Sequence, residues 1–177
     1  MIREILGNIM ITSGQVKASD PCYGDEIWCN TTIKNVLNGE YEASIDIMDC
    51  DVWGDRVAKL EIHHKDYLNK PTDFEYEHTC GVDSGTFCLA DLEYYKEHHT
   101  DRDVNEDWYQ DYVVDMSDKG HCIDERCVIS NSGFGDGGYD VYIHREQVNG
   151  YIVGVEVIFI DEDEEDFEEY EYDENEE

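Results

Sequence analysis

Basic residues are scarce in this chain. Of 177 residues only 12 are Lys or Arg, against 45 Asp or Glu, for a net charge of −33. A surface this negative repels nucleic acid and anionic membranes at long range. Direct nucleic-acid binding and membrane association are therefore excluded, and a basic protein surface becomes the expected partner. No basic residue lies beyond position 160, and residues 161–177 carry 13 acids, which leaves −20 on the body. Acidity is thus a property of the whole molecule. A like-charge run of this kind cannot bury enough apolar surface to order itself, so residues 161–177 are expected to be a disordered acidic tail behind one globular domain of residues 1–160.

Other absences narrow the reading further. No apolar run is long enough to cross a bilayer, and the first residues lack the charge-then-apolar pattern of a secretion signal. The seven cysteines are an odd number. Together these features predict free thiols in a reducing cytoplasm. There is no internal repeat, no close C-x-x-C pair, no G-x-S-x-G elbow, no P-loop lysine and no EF-hand loop.

What is present is mostly strand pattern. The strongest signal lies in residues 130–160. Tyr139, Val141 and Ile143 alternate with polar residues, and so do Tyr151, Val153, Val155, Val157 and Phe159 with Ile152, Gly154, Glu156 and Ile158. Period two marks a strand with one buried face. A one-residue slip would flip every side chain, so matching the apolar rows pairs Ile143 with Val155 and Val141 with Val157. That register predicts a three-residue loop, Val148-Asn149-Gly150, with Gly150 in left-handed geometry. A second hairpin is predicted from Tyr41, Ala43, Ile45 and Ile47 against Ala58, Leu60 and Ile62. Further strands are expected at 15–19, at 127–130 and through Phe74, Tyr76, His78, Cys80 and Val82. Helices are expected at 27–37 capped by Asp25, at 87–97 capped by Asp83 or Ser84, and around the stripe Trp108, Tyr109, Tyr112, Val113 and Met116 ending at Gly120. The fold class that follows is α+β: a mainly antiparallel β-sheet or sandwich with about three short helices.

Four segments combine into a pattern: SGQVKASDPCY (13–23), WCNTTIKNVLNGEYEA (28–43), GVDSGTFCLAD (81–91) and SGFGDGGYDVYI with GYIVGVEVIF (132–159). Their order and spacing resemble a bacterial and phage family of domains of unknown function, the DUF4241 family. The resemblance spans about residues 13–159. It implies a compact, strand-rich cytoplasmic domain and carries no activity, cofactor or site residue with it.

Several constellations bear on function. Asp20, Asp83 and Asp136 each sit beside glycine, proline or serine at a strand end, where carboxylates and backbone oxygens could hold a hard cation. Asp also favours turns and caps, which accounts for the same placement without a ligand. Ser84 follows Asp83 as Asp-Ser-Gly, yet no histidine is predictably near to act as its base. Cys80, Cys88, His121, Cys122 and Cys127, with His63, His64, His98 and His99, lack the paired spacing of a structural zinc site. The loop Gly133-Phe134-Gly135-Asp136-Gly137-Gly138 enters a strand, whereas phosphate loops enter a helix, so a nucleotide site is rejected. No cofactor and no metal are therefore assigned.

The charge itself is the remaining signal. Acids on a rigid body can imitate DNA phosphates and occupy a basic groove. The leading expectation is an acidic interaction protein, of phage type, that binds and inhibits a basic surface of a host defence or DNA-processing protein. Glu40, Glu42 and Asp46 share one side of a predicted strand and stand for the acidic patch. Tyr94, Tyr95, Tyr109 and Tyr112 would supply contact area. The alternative is a ligand- or metal-binding domain or hydrolase built on the loops around Asp20, Asp83, Ser84 and Asp136.

Overall fold

The computed structural model describes residues 1–25 and 28–164. The elements are β1 (Ile2–Ile11), β2 (Val16–Ser19), β3 (Asn30–Ile33), β4 (Gly39–Asp49), β5 (Asp55–His64), β6 (Thr72–Val82), β7 (Thr86–Asp91), α1 (Leu92–His98), α2 (Glu106–Tyr109), β8 (Gly120–Ile123), β9 (Cys127–Asn131), β10 (Gly137–Glu146) and β11 (Ile152–Ile158). A single π-helical turn, Gln110–Val114, continues α2. The strands form two antiparallel sheets, ordered β1-β4-β5-β11-β10-β6 and β3-β2-β7-β9-β8. The α+β reading with a mainly antiparallel sandwich and few short helices is correct.

Both sheets enclose one apolar cluster. The larger sheet contributes Tyr41, Ala43, Ile45, Leu60, Ile62, Val141, Ile143, Val155 and Val157, and the smaller one Val16, Ala18, Phe87, Leu89 and Val128. Behind the smaller sheet a second cluster joins Cys88, Ala90, Cys127 and Ile129 to Tyr94, Tyr95, Trp108 and Val113 from the helical segments. The layers therefore run sheet, sheet, helices. The larger sheet turns its other face outward, and α1 packs on β7 and β2 of the smaller sheet.

The β10–β11 register is the predicted one, Ile143 with Val155 and Val141 with Val157. Gly150 has φ of 76°. The loop is one residue longer than predicted. Glu146 N–H bonds to the Tyr151 carbonyl, and a register shift between His144 and Arg145 absorbs the difference. Glu146 stabilises the turn by accepting from the backbone N–H groups of Val148, Asn149 and Tyr151. The β4–β5 hairpin is also as predicted, with a bulge after Asp46 that sets Val57 opposite Ile47.

One predicted helix contains a strand instead, and another is a strand in its first half. In 27–37, residues Asn30–Ile33 pair with β2, and Asn35 adopts φ of 60°. The backbone donors there bond across the fold: Val36 N–H to Gly14 and Leu37 N–H to Ile152. Among the described residues Asp25 caps no helix here and pairs with Lys17 at 3.0 Å. In 87–97 the first half is β7, and α1 begins only at Leu92 with Asp91 as its cap, through Glu93 N–H and Tyr94 N–H. Asp83 and Ser84 are not the caps. The cause is burial on both faces: Phe87 and Leu89 enter one cluster, Cys88 and Ala90 the other. Such a strand reads as a continuous apolar run that mimics a helix. The Trp108 stripe is helical as predicted, but Gly120 opens β8 and ends no helix. Of the expected acidic tail, Asp161 is irregular and Glu162–Glu164 form a 3₁₀ turn, and residues 165–177 lie outside the described residues.

Candidate functional site

The loops at one end of the sandwich do meet, but not as a carboxylate cage. Asp20 is fully buried. One of its carboxylate oxygens accepts from the backbone N–H groups of Asp83 and Ser84, both at 2.8 Å. The other accepts from Ser84 Oγ at 2.7 Å and Cys22 N–H at 2.9 Å. Four donors satisfy the acid, so Asp20 staples the Asp-Pro corner to the Asp-Ser-Gly turn. The Ser84 hydroxyl is shared between Asp20 and Thr86, with no imidazole among its partners. Asp83 accepts from the Tyr23 hydroxyl, which raises the Tyr23 pKa. Asp136 is exposed. Among the described residues these three aspartates form no ligand cluster.

The same loops border a cleft of about 290 Å³ lined by Asp55, Arg56, Val57, Lys119 and Asn131 together with Phe134 and the glycines 85, 133 and 135. Ser132 N–H bonds to the Gly85 carbonyl and ties the two glycine turns together. Arg56 lies over the Phe134 ring at 5.5 Å and donates to the Trp53 carbonyl. Among the described residues neither Arg56 nor Lys119 pairs with a carboxylate.

The outward face of the larger sheet holds a different constellation, which sequence reasoning missed. Cross-strand register places Glu61 opposite Glu156, and both His63 and His144 opposite Gly154. Alternation then turns all four side chains outward. A Cβ at Gly154 would lie 2.8 Å from His63 Nδ1 and 3.1 Å from His144, so glycine leaves the room in which the imidazoles meet, 5.2 Å apart. His144 Nε2 lies 3.1 Å from Glu156 Oε2, and His144 Nδ1 3.2 Å from Thr72 Oγ1. His63 Nδ1 lies 3.7 Å from Glu61 Oε1, while its Nε2 contacts the Tyr67 carbonyl at 3.1 Å. Lys59 Nζ reaches Asp46 at 3.1 Å, Glu61 at 3.4 Å and Glu156 at 3.8 Å. Arg3 reaches Glu61 at 3.3 Å.

Burial shapes these charges. It lowers the His63 pKa, more than neighbouring Glu61 raises it. Burial also opposes charge on Lys59, but Glu156, Glu61 and Asp46 outweigh it and raise its pKa. Glu156 is likewise desolvated, yet the His144 hydrogen bond, Glu61 and Lys59 pull its pKa below the ordinary value. Burial also disfavours the thiolate at several cysteines: it pushes Cys29 and Cys122 up to about 11 and Cys80 to about 12.

Beside this cluster the face turns aromatic. Phe74 stacks on Tyr142 with centroids 4.7 Å apart and 13° between planes, and Tyr76 meets Tyr142 edge-on at 5.9 Å. Phe74 is 51% and Tyr76 58% exposed. They face outward because a bulge near Val141 and Tyr142 flips the alternation of β6, which turns Cys80 and Val82 inward.

The predicted acidic patch lies on this outward face too. Glu40, Glu42 and Asp46 alternate with the inward Tyr41, Ala43 and Ile45. Glu40 pairs with Lys65 and Asp46 with Lys59. The predicted tyrosine contacts are not a surface. Tyr94 and Tyr95 are buried in the second core, and Tyr109 and Tyr112 pack against it, because the helical stripe is consumed in covering the smaller sheet. Tyr94 instead bonds Asp124 and Trp108, and Tyr95 bonds Ser19.

No described helix is long and apolar enough to cross a membrane. No curated protein and no solved structure matches this chain. A family model described as protein of unknown function (DUF4241) matches residues 9–156, and the chain belongs to that family.

Proposed function

We propose that the protein is a non-enzymatic binding module that receives a basic protein surface on the outward face of its larger sheet. The observation that carries this reading is the exposed aromatic group Phe74, Tyr76 and Tyr142 on the edge strand β6 and its neighbour β10, with Asp140 beside Tyr142 on the same face. Aromatic faces beside carboxylates accept guanidinium and ammonium groups, and the net charge of −33 steers such partners inward. A protein whose groove normally holds nucleic acid offers the matching charge, which is why a host defence or DNA-processing factor is the proposed partner class. Ser84, which has no imidazole partner among the described residues, and the buried thiols of Cys29, Cys80 and Cys122 support a role without covalent chemistry.

The test is affinity capture from bacterial lysate at low and high salt. The wild-type chain is compared with Phe74→Ala/Tyr76→Ala and with Glu40→Lys/Glu42→Lys/Asp46→Lys. Capture that is lost at high salt and in the aromatic double variant is expected. A partner held equally by all three proteins at both salt levels would overturn the reading.

A second reading rests on the cleft at the loop end. Arg56 and Lys119 both line it and, among the described residues, neither is paired with a carboxylate, although Asp55 lines the same cleft; the two cations suit a small anionic ligand held against the glycine turns. None of Asp20, Asp83 and Asp136 lines the cleft. A thermal-shift screen of phosphorylated and carboxylated metabolites, repeated with Arg56→Ala, tests this.

A further inference from the structure

We propose that Glu61, His63, His144 and Glu156 bind one divalent transition-metal ion of the zinc or cobalt class on the outward face of the larger sheet. The inference is independent of the docking reading above. It rests on how the donor atoms face one another.

The ligating atoms of Glu61, His144 and Glu156 all lie within 4.8 Å of one another. His63 joins them through Nδ1, 3.7 Å from Glu61 Oε1. A tetrahedral ion with bonds of about 2.0–2.2 Å separates its ligand atoms by roughly 3.3 Å. The His144–Glu156 and His63–Glu61 separations of 3.1 and 3.7 Å bracket that value. Small side-chain movements would close the set.

The second observation concerns His63, which is 8% exposed. The carbonyl of Tyr67 can only accept a hydrogen bond, so Nε2 of His63 carries a proton. The remaining nitrogen, Nδ1, faces Glu61 Oε1 at 3.7 Å and is the atom that a cation between the two would take as ligand, in place of the contact that Arg3 makes to the same oxygen. Metal-ligating histidines are oriented in this way, with the outer nitrogen donating to a carbonyl or other acceptor. His144 has an outer partner as well, the Thr72 hydroxyl at 3.2 Å from Nδ1. Gly154 is what permits the arrangement, since any side chain there would separate the rings.

Two imidazoles with two carboxylates favour zinc, cobalt or a similar ion over magnesium or calcium, which prefer oxygen donors throughout. Every charged neighbour bears on the site. Asp46 adds negative charge behind Lys59, and Arg3 takes one oxygen of Glu61. Lys59 shares oxygens of both Glu61 and Glu156, so its ammonium competes with the ion for the same lone pairs. The lysine therefore sets affinity, and its removal should strengthen metal binding. A purely structural ion-pair network would show the opposite, because loss of Lys59 would only destabilise it.

The experiment uses the full chain, stripped with chelator and titrated with Co²⁺, read by visible absorption and calorimetry, then displaced with Zn²⁺. One Co²⁺ per chain is expected, with the intense visible bands of four-coordinate cobalt, lost on adding Zn²⁺. His144→Ala and Glu156→Gln should weaken binding by more than the roughly tenfold to hundredfold typical of an outer-partner change. Thr72→Val should fall within that smaller range. Lys59→Met should bind more tightly than wild type, and Zn²⁺ should raise its melting temperature most. If Lys59→Met does not fold, Lys59→Gln serves the same comparison. The proposal is overturned if neither wild type nor the Lys59 variant develops the bands. It is equally overturned if binding is unaffected by His144→Ala and Glu156→Gln, which would place the ion on the general acidic surface.

Discussion

The molecule treats its buried acids in two opposite ways. At the loop end and at the start of α1, carboxylates are satisfied by backbone amides: Asp20 by Asp83, Ser84 and Cys22, and Asp91 by Thr12, Ser13, Glu93 and Tyr94, with Arg126 added at 2.9 Å. On the outward sheet face, Glu61 and Glu156 lie opposite each other and look toward imidazoles and a shared lysine. The first arrangement ties loops and strands together and leaves the acids no capacity for a ligand. The second shares each carboxylate among side chains, Glu61 with Arg3 and Lys59 and Glu156 with His144 and Lys59, and it is on this arrangement that the proposed cation site rests. An acid's burial therefore says little about its role until its donors are named.

The largest effect that would break this contrast is expected at Asp91. Asp91→Ala strands the amides of Thr12 and Ser13 and the guanidinium of Arg126, and should cost about 3–5 kcal/mol in denaturant unfolding. A pH scan sharpens it. Burial opposes charge on Asp91, but the two amides and Arg126 hold its pKa below the ordinary value. A depressed folded pKa contributes stability that is complete above the unfolded value of about 4 and is lost as pH falls through the folded one. Asp91→Asn should accordingly flatten the acid limb of the stability curve. Asp20→Ala comes next, at about 3 kcal/mol, because several buried donors lose one charged acceptor.

On the sheet face the backbone position matters more than any single acid. Gly154→Ala should cost about 1–3 kcal/mol by overpacking, and should push His63 and His144 apart, with weaker Co²⁺ binding as the second readout. Unchanged cobalt affinity in a folded Gly154→Ala protein would show that the two imidazoles do not act together. The smallest effect belongs to Asp136→Ala. The residue is exposed, and the unfolding free energy of the variant should stay within about 0.5 kcal/mol of wild type in denaturant unfolding. A large loss there would return Asp136 to the company of Asp20.

Sequence alone determined the sandwich class, both main hairpins and the pairing of Ile143 with Val155, because one-sided burial writes itself as period two along the chain. It also determined that acidity is spread over the body. It did not separate Asp20, Asp83 and Asp136, since a turn aspartate that staples two loops and one that faces solvent have the same local signature. Only the tertiary structure decided that β7 is a strand, because burial on both faces erases the alternation that marks one. Only tertiary register brought together Glu61 and His63 of β5, His144 of β10 and Glu156 of β11, with Gly154 between the rings. The same holds for Phe74 and Tyr76, turned outward by a bulge that no local pattern announces. Cross-strand neighbours lie many residues apart in the chain, so the chemistry of a sheet face depends on pairing and bulges rather than on spacing.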